Sequence, residues 1–236
     1  MEKKQVNILQ EIDLNEIIKS SIKNDPNLKQ LDEAFHAEEK KFNQVSDLIS
    51  QKTKSSHEAL YKNYVETFNK ISIVVDSVDR NSANSNNSDY RSAKLDETYN
   101  LNGMWLHELY FANCFSPSSE IYADSMSYIR LQRDFGSFAN WQKDFIAAAL
   151  SCGQGWVITG YHLFLKKYVT TIVSCNSQDV MVGLLPIIVV DMHEHSYYRD
   201  YATDKMSYII SQMKELNWNV IEDRIRKSEA INEAIK

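Results

Sequence analysis

The sequence predicts an α+β fold in which an N-terminal antiparallel helical hairpin precedes an α/β domain with a three-stranded antiparallel sheet. The first half shows helical periodicity on both sides of a polar loop. The second half holds three short strand-like runs between helical segments, an order of elements that is typical of α+β proteins. We expect a helical extension at residues 1–43, a hairpin domain at 44–116 and the α/β domain at 117–236.

Composition and charge narrow the class of protein. The chain has 236 residues and a formal net charge of −6, which argues against a nucleic-acid-binding surface. Its cysteines, Cys114, Cys152 and Cys175, are widely spaced and fit no zinc pattern, so we expect a reducing compartment. Neither a signal peptide nor a membrane-spanning run is recognisable. We therefore expect a soluble, cytoplasmic protein with no nucleic-acid or membrane partner.

The extension at 1–43 is charged and predicts one or two helices, broken near Asp25 and Pro26. We expect it to act as a docking or oligomerisation arm. Its histidine, His36, is followed closely by the charged run 38–41 and is expected to be exposed.

The hairpin is predicted from two helical stretches. In the first, His57, Tyr61 and Tyr64 recur at helical spacing, so an imidazole and aromatic rings share one face. The polar run 81–89 breaks this helix as an exposed loop, and the second helix carries His107. Because the helices of a hairpin lie antiparallel, His57 and His107 can meet.

The α/β domain is predicted to open with a helix near Ser137. Strand-like runs follow at 155–164, 168–175 and 184–190. From 201 onward the pattern returns to helix.

The most informative stretch is the third strand, 184–190, together with the residues that follow it. This apolar, β-branched run ends in Asp191, His193, Glu194 and His195. A carboxylate and imidazoles at the mouth of a buried strand are costly to desolvate without a partner, and a metal ion is the commonest partner. The alternative interpretation is a solvated loop after a core strand.

Several blocks of sequence, taken in order, resemble the iron/manganese superoxide dismutase family. The resemblance covers residues 42–226 and leaves the extension outside. The blocks are H-E-A-L-Y-K-N-Y-V at 57–65, N-G-M-W-L-H-E-L-Y-F at 102–111, F-G-S-F-A-N-W at 135–141 with G-Q-G-W at 153–156, and D-M-H-E-H-S-Y-Y-R-D-Y at 191–201.

The resemblance implies a mononuclear metal site with His57, His107, Asp191 and His195 as ligands, and one iron or manganese ion per chain. Independently of the resemblance, a mixed set of imidazoles and a carboxylate suits these metals, whereas structural zinc sites favour thiolates. The implied reaction converts superoxide into dioxygen and hydrogen peroxide while the metal alternates between trivalent and divalent states.

The resemblance also implies catalytic roles for residues around the metal. Tyr64 matches the family's gateway tyrosine, and Trp156 matches a tryptophan that lines the metal pocket. His193 stands where the family usually has an aromatic residue and adds a titratable group. Glu194 and Tyr198 match residues that bridge the subunits of a homodimer, and higher oligomers could form through the N-terminal arm.

The sequence departs from the family pattern at several positions. The gateway histidine of many members is replaced by Leu60 or Tyr61. The glutamine that hydrogen-bonds the solvent ligand has no clear match, because its position in iron forms is Gly103 and its position in manganese forms is about Cys152. Gln154, two residues beyond Cys152, is our candidate for this role, and iron is not distinguished from manganese.

Other functions remain open at this point. A superoxide-dismutase fold could serve as a structural or assembly protein whose metal is not catalytic. A metal-dependent hydrolase could use His193 and His195 together with Asp191, since alternate residues of an extended segment face one way. The first ligand could also be His36, although the charged residues after it would be costly to bury, which favours His57.

Overall fold

The fold contains a helical hairpin followed by a three-stranded antiparallel sheet with helices around it, which confirms the predicted α+β class. The computed structural model describes residues 35–114 and 118–234. Its elements, in chain order, are α1 (Gln51–Ser77), α2 (Asp89–Cys114), α3 (Met126–Phe135), α4 (Phe138–Ser151), β1 (Gly155–His162), β2 (Lys167–Ser174), β3 (Leu184–Asp191), α5 (Glu194–Tyr201), α6 (Lys205–Lys214) and α7 (Trp218–Ala234).

The hairpin consists of α1 and α2. Ser50 caps α1, because its hydroxyl accepts a hydrogen bond from the backbone N–H of Thr53. The rings of His57 and His107 lie 4.9 Å apart. Farther along α1, the ring of Tyr64 lies 6.1 Å from that of Tyr99, which precedes His107 in α2. Chain positions therefore run in opposite directions along the two helices, as expected for an antiparallel pair.

Residues 35–50, which precede α1, form no helix. The predicted helical extension is therefore wrong for 35–43, and its residues 1–34 lie outside the described part of the chain. The backbone N–H of Ala37 donates to the side chain of Asn69, and Asn69 donates back to the carbonyl of Ala37. These long-range bonds to α1 take the place of the internal hydrogen bonds of a helix.

The sheet has the strand order β2–β1–β3, and both pairs are antiparallel. Trp156 near the start of β1 pairs with Asp191 at the end of β3. This register places the tryptophan of one predicted motif beside the carboxylate of another. Gly155 precedes Trp156 at a point where β1 and β2 approach closely. A Cβ at this position would lie 2.0 Å from the carbonyl oxygen of Val173.

A half-buried arginine joins the hairpin to the sheet and the last helix. The Arg224 guanidinium of α7 donates to Asn113 Oδ1 at 2.6 Å, to the Ile187 carbonyl at 2.8 Å and to the Leu109 carbonyl at 2.9 Å. Burial lowers the pKa of Arg224 to about 10. Since these acceptors belong to α2 and β3, one side chain connects three elements.

Among the described residues, every helix is too short or too polar to span a membrane.

Candidate metal centre

Four side chains from four different elements converge at one point. His57 comes from α1, His107 from α2, Asp191 from the end of β3 and His195 from the first turn of α5. One donor atom from each lies within 4.8 Å of the others. Donors at about 2.0–2.2 Å from a single ion would be up to about 4.4 Å apart. The cluster is therefore close to the size that one metal ion requires.

Asp191 Oδ2 is the centre of this cluster. It lies 3.1 Å from His57 Nε2, 3.0 Å from His195 Nε2 and 3.7 Å from His107 Nε2. Asp191, His57 and His107 are buried, whereas 32% of the His195 side chain is exposed. The site thus has one open side, at His195.

The chain turns sharply between Asp191 and His195. β3 ends at Asp191 and α5 begins at Glu194, so His195 lies in a helix rather than in the turn that the sequence suggested. The Asp191 carbonyl accepts hydrogen bonds from the hydroxyls of Ser196 at 3.0 Å and Tyr208 at 2.8 Å. These bonds hold the strand end against the helices that follow it.

The orientation of His107 leaves one of its ring nitrogens able to bind a cation. Its Nδ1–H donates to the carbonyl of Gly103 at 2.5 Å, which leaves Nε2 with a lone pair. Nε2 is fully buried and has no hydrogen-bond partner in residues 35–114 and 118–234. A buried nitrogen of this kind is costly unless it binds a cation, so the site fits a metal ion.

The pKa shifts in the cluster favour the protonation states that a metal needs. Burial lowers the pKa of His57, and it lowers that of His107 to about 3, assisted by nearby His57. Burial opposes ionisation of Asp191, but the charge of His195 and hydrogen bonds from the imidazoles hold its pKa well below the usual range. Asp191 in turn raises the pKa of His195 against the effect of burial. An ionised carboxylate beside two neutral imidazoles suits a metal ion, whereas the raised pKa of His195 means that a metal ion would compete with a proton there.

Trp156 and Tyr64 lie against His107. The indole of Trp156 packs edge-on at 4.8 Å, and the phenol ring of Tyr64 lies at 5.2 Å. Burial raises the pKa of Tyr64, so its hydroxyl keeps its proton, while Asn176 acts in the opposite direction. Both rings therefore lie next to a member of the candidate metal cluster.

Asn176 is a site residue that the sequence did not reveal. Its side chain is fully buried, and its Oδ1 accepts a hydrogen bond from Trp156 Nε1 at 2.9 Å. Its Nδ2 has no hydrogen-bond partner in the described part of the chain, and a Cβ on Gly103 would lie 2.8 Å from it. The only sequence signal was an amide directly after the predicted strand 168–175.

The structure does not bring Gln154 into this cluster. Its side chain is exposed, and its backbone carbonyl accepts a hydrogen bond from the N–H of Cys175. Tyr61, one of the two candidates for the gateway position, is buried and donates instead to Glu108 at 3.0 Å. Leu60, the other candidate, is half-buried, and His36 is exposed and not part of the cluster.

Glu194 and Tyr198 lie on the outer side of His195. Both side chains are exposed. They contribute to an open surface cavity of about 430 Å³, whose other lining residues are Ser56, His195 and Arg199. The exposed edge of the metal site therefore opens into a polar depression on the surface.

His193 and His195 do not present a common ligand face. His193 Nδ1 contacts Asp191 Oδ1 at 2.7 Å, whereas His195 Nε2 contacts Asp191 Oδ2. The extended geometry that a hydrolase with this pair would use is absent from this segment, because the helix begins at Glu194.

Comparison with known proteins agrees with the geometry. Residues 126–224 match the family of iron/manganese superoxide dismutases, C-terminal domain. The chain is 32% identical to superoxide dismutase [Fe] of Aquifex aeolicus over 195 residues, which cover 81% of this chain and 91% of that protein, and it is equally similar to the Aquifex pyrophilus protein. It is 31% identical to superoxide dismutase [Mn] 2 of Haloferax volcanii over 122 residues, 52% of this chain and 60% of that protein. The chain therefore belongs to the iron/manganese superoxide dismutase family.

Proposed function

We propose that this protein is a superoxide dismutase that holds one iron or manganese ion through His57, His107, Asp191 and His195. The observation that carries the proposal is the convergence of these donors, with the buried Nε2 of His107 otherwise unpartnered in the described residues. The bound metal supplies the one-electron chemistry. The chain must bind the metal, admit a small anion and provide protons.

Tyr64 is the proposed proton-holding group, and Asn176 is the proposed hydrogen-bond donor to the bound anion. Conversion of superoxide into dioxygen and hydrogen peroxide consumes protons. A superoxide anion at the cluster therefore needs proton and hydrogen-bond donors beside it. Tyr64 retains its proton because burial raises its pKa, and it lies against His107. Asn176 presents Nδ2 because its Oδ1 is already occupied by Trp156. A fixed donor of this kind needs no reorganisation when charge arrives.

The test combines metal analysis with a superoxide-consumption assay on the wild-type protein and His107→Ala. We expect about one iron or manganese ion per chain in the wild type, and loss of both metal and turnover in His107→Ala, because the removed imidazole is a ligand. His36→Ala is the matched control, since His36 is exposed and outside the cluster.

The outcomes separate the alternative functions. Metal without turnover in the wild type would favour a structural protein with a non-catalytic metal. Zinc with esterase or phosphatase activity would favour a hydrolase. Full metal occupancy in His107→Ala, or metal loss in His36→Ala, would contradict the ligand assignment.

We further propose a homodimer in which Glu194 reaches the partner's metal site and Tyr198 lies at the same interface. Support comes from the surface: both side chains are exposed next to His195, the exposed member of the cluster. A charge-assisted hydrogen bond to a ligand imidazole would orient it and couple association to metal binding.

Sedimentation measurements with metal analysis test this proposal. Glu194→Ala should weaken dimerisation and metal retention together, because one hydrogen bond serves both. Glu58→Ala, an exposed change on α1, is the control. A monomeric wild-type protein at micromolar concentration would refute the dimer.

The protein's location is proposed to be the cytoplasm, where it would act as an antioxidant. The described structure contains Cys114, Cys152 and Cys175 as free thiols, in agreement with a reducing compartment. The oligomerisation role of residues 1–34 stays a prediction, since they lie outside the described structure.

A further inference from the structure

A fourth imidazole, that of His193, contacts the second carboxylate oxygen of Asp191. The backbone N–H of His193 donates to Asp191 Oδ1 at 2.8 Å, and His193 Nδ1 lies 2.7 Å from the same oxygen. Oδ2 alone faces the imidazoles of His57 and His195. The two oxygens of Asp191 therefore have separate partners.

His193 occupies a position where a different side chain would be expected on structural grounds. It is the N-cap of α5, with extended backbone angles, and N-caps are usually Ser, Thr, Asn or Asp. Within the described structure its side chain makes no capping hydrogen bond. The ring turns back to Asp191 instead, so helix capping does not explain this histidine.

The ring of His193 is held in place by its neighbours. It stacks on His195 at 5.1 Å with an interplanar angle of 14°, and Trp156 packs edge-on at 5.7 Å. Only 13% of its side chain is exposed. A ring fixed on two sides can keep its Nδ1 directed at Asp191 Oδ1 while a metal ion binds to Oδ2.

We propose that His193 is a positioning residue that tunes the metal through Asp191. Because an ionised carboxylate only accepts hydrogen bonds, Nδ1 of His193 carries the proton. The hydrogen bond fixes the carboxylate plane and draws electron density away from Oδ2. An anionic oxygen stabilises a trivalent ion more than a divalent one, and a less electron-rich Oδ2 reduces this preference, so His193 raises the midpoint potential. This inference rests on the proposed function.

The experiment compares two substitutions that separate hydrogen bonding from packing. His193→Phe keeps a ring for stacking but has no donor. His193→Asn loses the ring but keeps an N–H donor near the position of Nδ1. His162→Phe is the matched control, because His162 lies at the opposite end of β1 from Trp156.

Two quantities are measured on each protein: competition of a chelator for Mn²⁺, and the midpoint potential of the iron-loaded form. For His193→Phe we expect metal affinity to fall about 10–100-fold, the usual effect of losing a hydrogen bond to a ligand. The potential should also fall, and a tenfold change in the trivalent-to-divalent affinity ratio would correspond to about 59 mV. His193→Asn and His162→Phe should remain close to the wild type.

Wild-type affinity and potential in His193→Phe would overturn the inference. Equal shifts in His193→Phe and His193→Asn would also overturn it, because ring packing rather than hydrogen bonding would then be responsible. If His193→Phe does not fold, His193→Leu provides a second side chain without a donor. A wild-type protein that binds no iron or manganese, or does not consume superoxide, would instead refute the proposed function.

Discussion

At the scale of single residues, Gly103 provides the space in which the site is assembled. It lies one helical turn before His107, and its carbonyl accepts the Nδ1–H of that ligand. A Cβ at this position would lie 2.7 Å from the ring of Tyr64 and 2.8 Å from Asn176 Nδ2. The absence of a side chain therefore allows the amide and the phenol to approach the ligand together.

Gly103→Ala should consequently lower both activity and stability. Alanine favours a helix over glycine by up to about 1 kcal/mol, but overpacking a buried site costs about 1–3 kcal/mol, so we expect net destabilisation. Superoxide consumption and urea unfolding measure the two effects. Gly153→Ala is the control, because a Cβ there would meet no described atom within 4 Å. Unchanged activity in Gly103→Ala would show that Tyr64 and Asn176 need not approach this closely.

At the scale of elements, α7 holds the N-terminus of α3. The Glu222 carboxylate accepts hydrogen bonds from the backbone N–H groups of Met126 at 3.1 Å and Ser127 at 2.8 Å, and from the Ser127 hydroxyl. These N–H groups have no partners within their own helix. Burial tends to raise the pKa of Glu222, but these hydrogen bonds and Arg226 outweigh it and lower the pKa.

Stability should therefore depend on pH through Glu222. Because its pKa is lower in the folded state, its contribution is present above the unfolded pKa of about 4.3 and disappears as the pH falls through the folded value. Glu222→Gln should cost about 1 kcal/mol at pH 7, as the loss of a helix cap does, and the difference should vanish toward pH 3.

Urea unfolding of the metal-free proteins at several pH values measures this difference without interference from metal loss. Asp223→Asn is the control, since Asp223 forms an exposed pair with Lys227, which contributes little. A difference between wild type and Glu222→Gln that does not change with pH would contradict the proposed role of the charge.

At the scale of the whole molecule, the metal site connects elements that are distant in the chain. His57 and Asp191 are 134 residues apart, and the four donors come from α1, α2, β3 and α5. An ion bound by all four would stabilise the folded state, because the unfolded chain cannot present them together.

Removal of the metal should lower the melting temperature. At a free metal concentration of 100 times Kd the stabilisation is about 2.7 kcal/mol, which for a chain of this length corresponds to roughly 5–10 °C. Differential scanning calorimetry with and without chelator measures the shift. The melting temperature of His107→Ala should not respond to the chelator. Equal values for the loaded and metal-free wild type would indicate that the ion does not link these elements.

Many elements of this molecule could be predicted from its sequence alone. Helical periodicity predicted α1 and α2, and β-branched runs predicted the three strands to within about two residues, because these patterns report local geometry and burial. The resemblance of the ordered sequence blocks to a known family implied His57, His107, Asp191 and His195 as one set, and the chemistry of these residue types agreed with it. Tyr64 and Trp156 could be placed next to this set for the same reason.

Only the tertiary structure decided the contacts that refine the site. Asn176 meets Trp156 and Gly103 because of the register of β1 with β2 and the packing of α2, and neither is encoded in a local pattern. The segment 35–43 is not helical, and the backbone of Ala37 bonds to Asn69 of α1, a contact that periodicity within the segment cannot reveal. The direction of the His193 ring likewise depends on the turn from β3 into α5. Local patterns specify elements and residue types, whereas hydrogen-bond partners distant in sequence depend on how those elements pack.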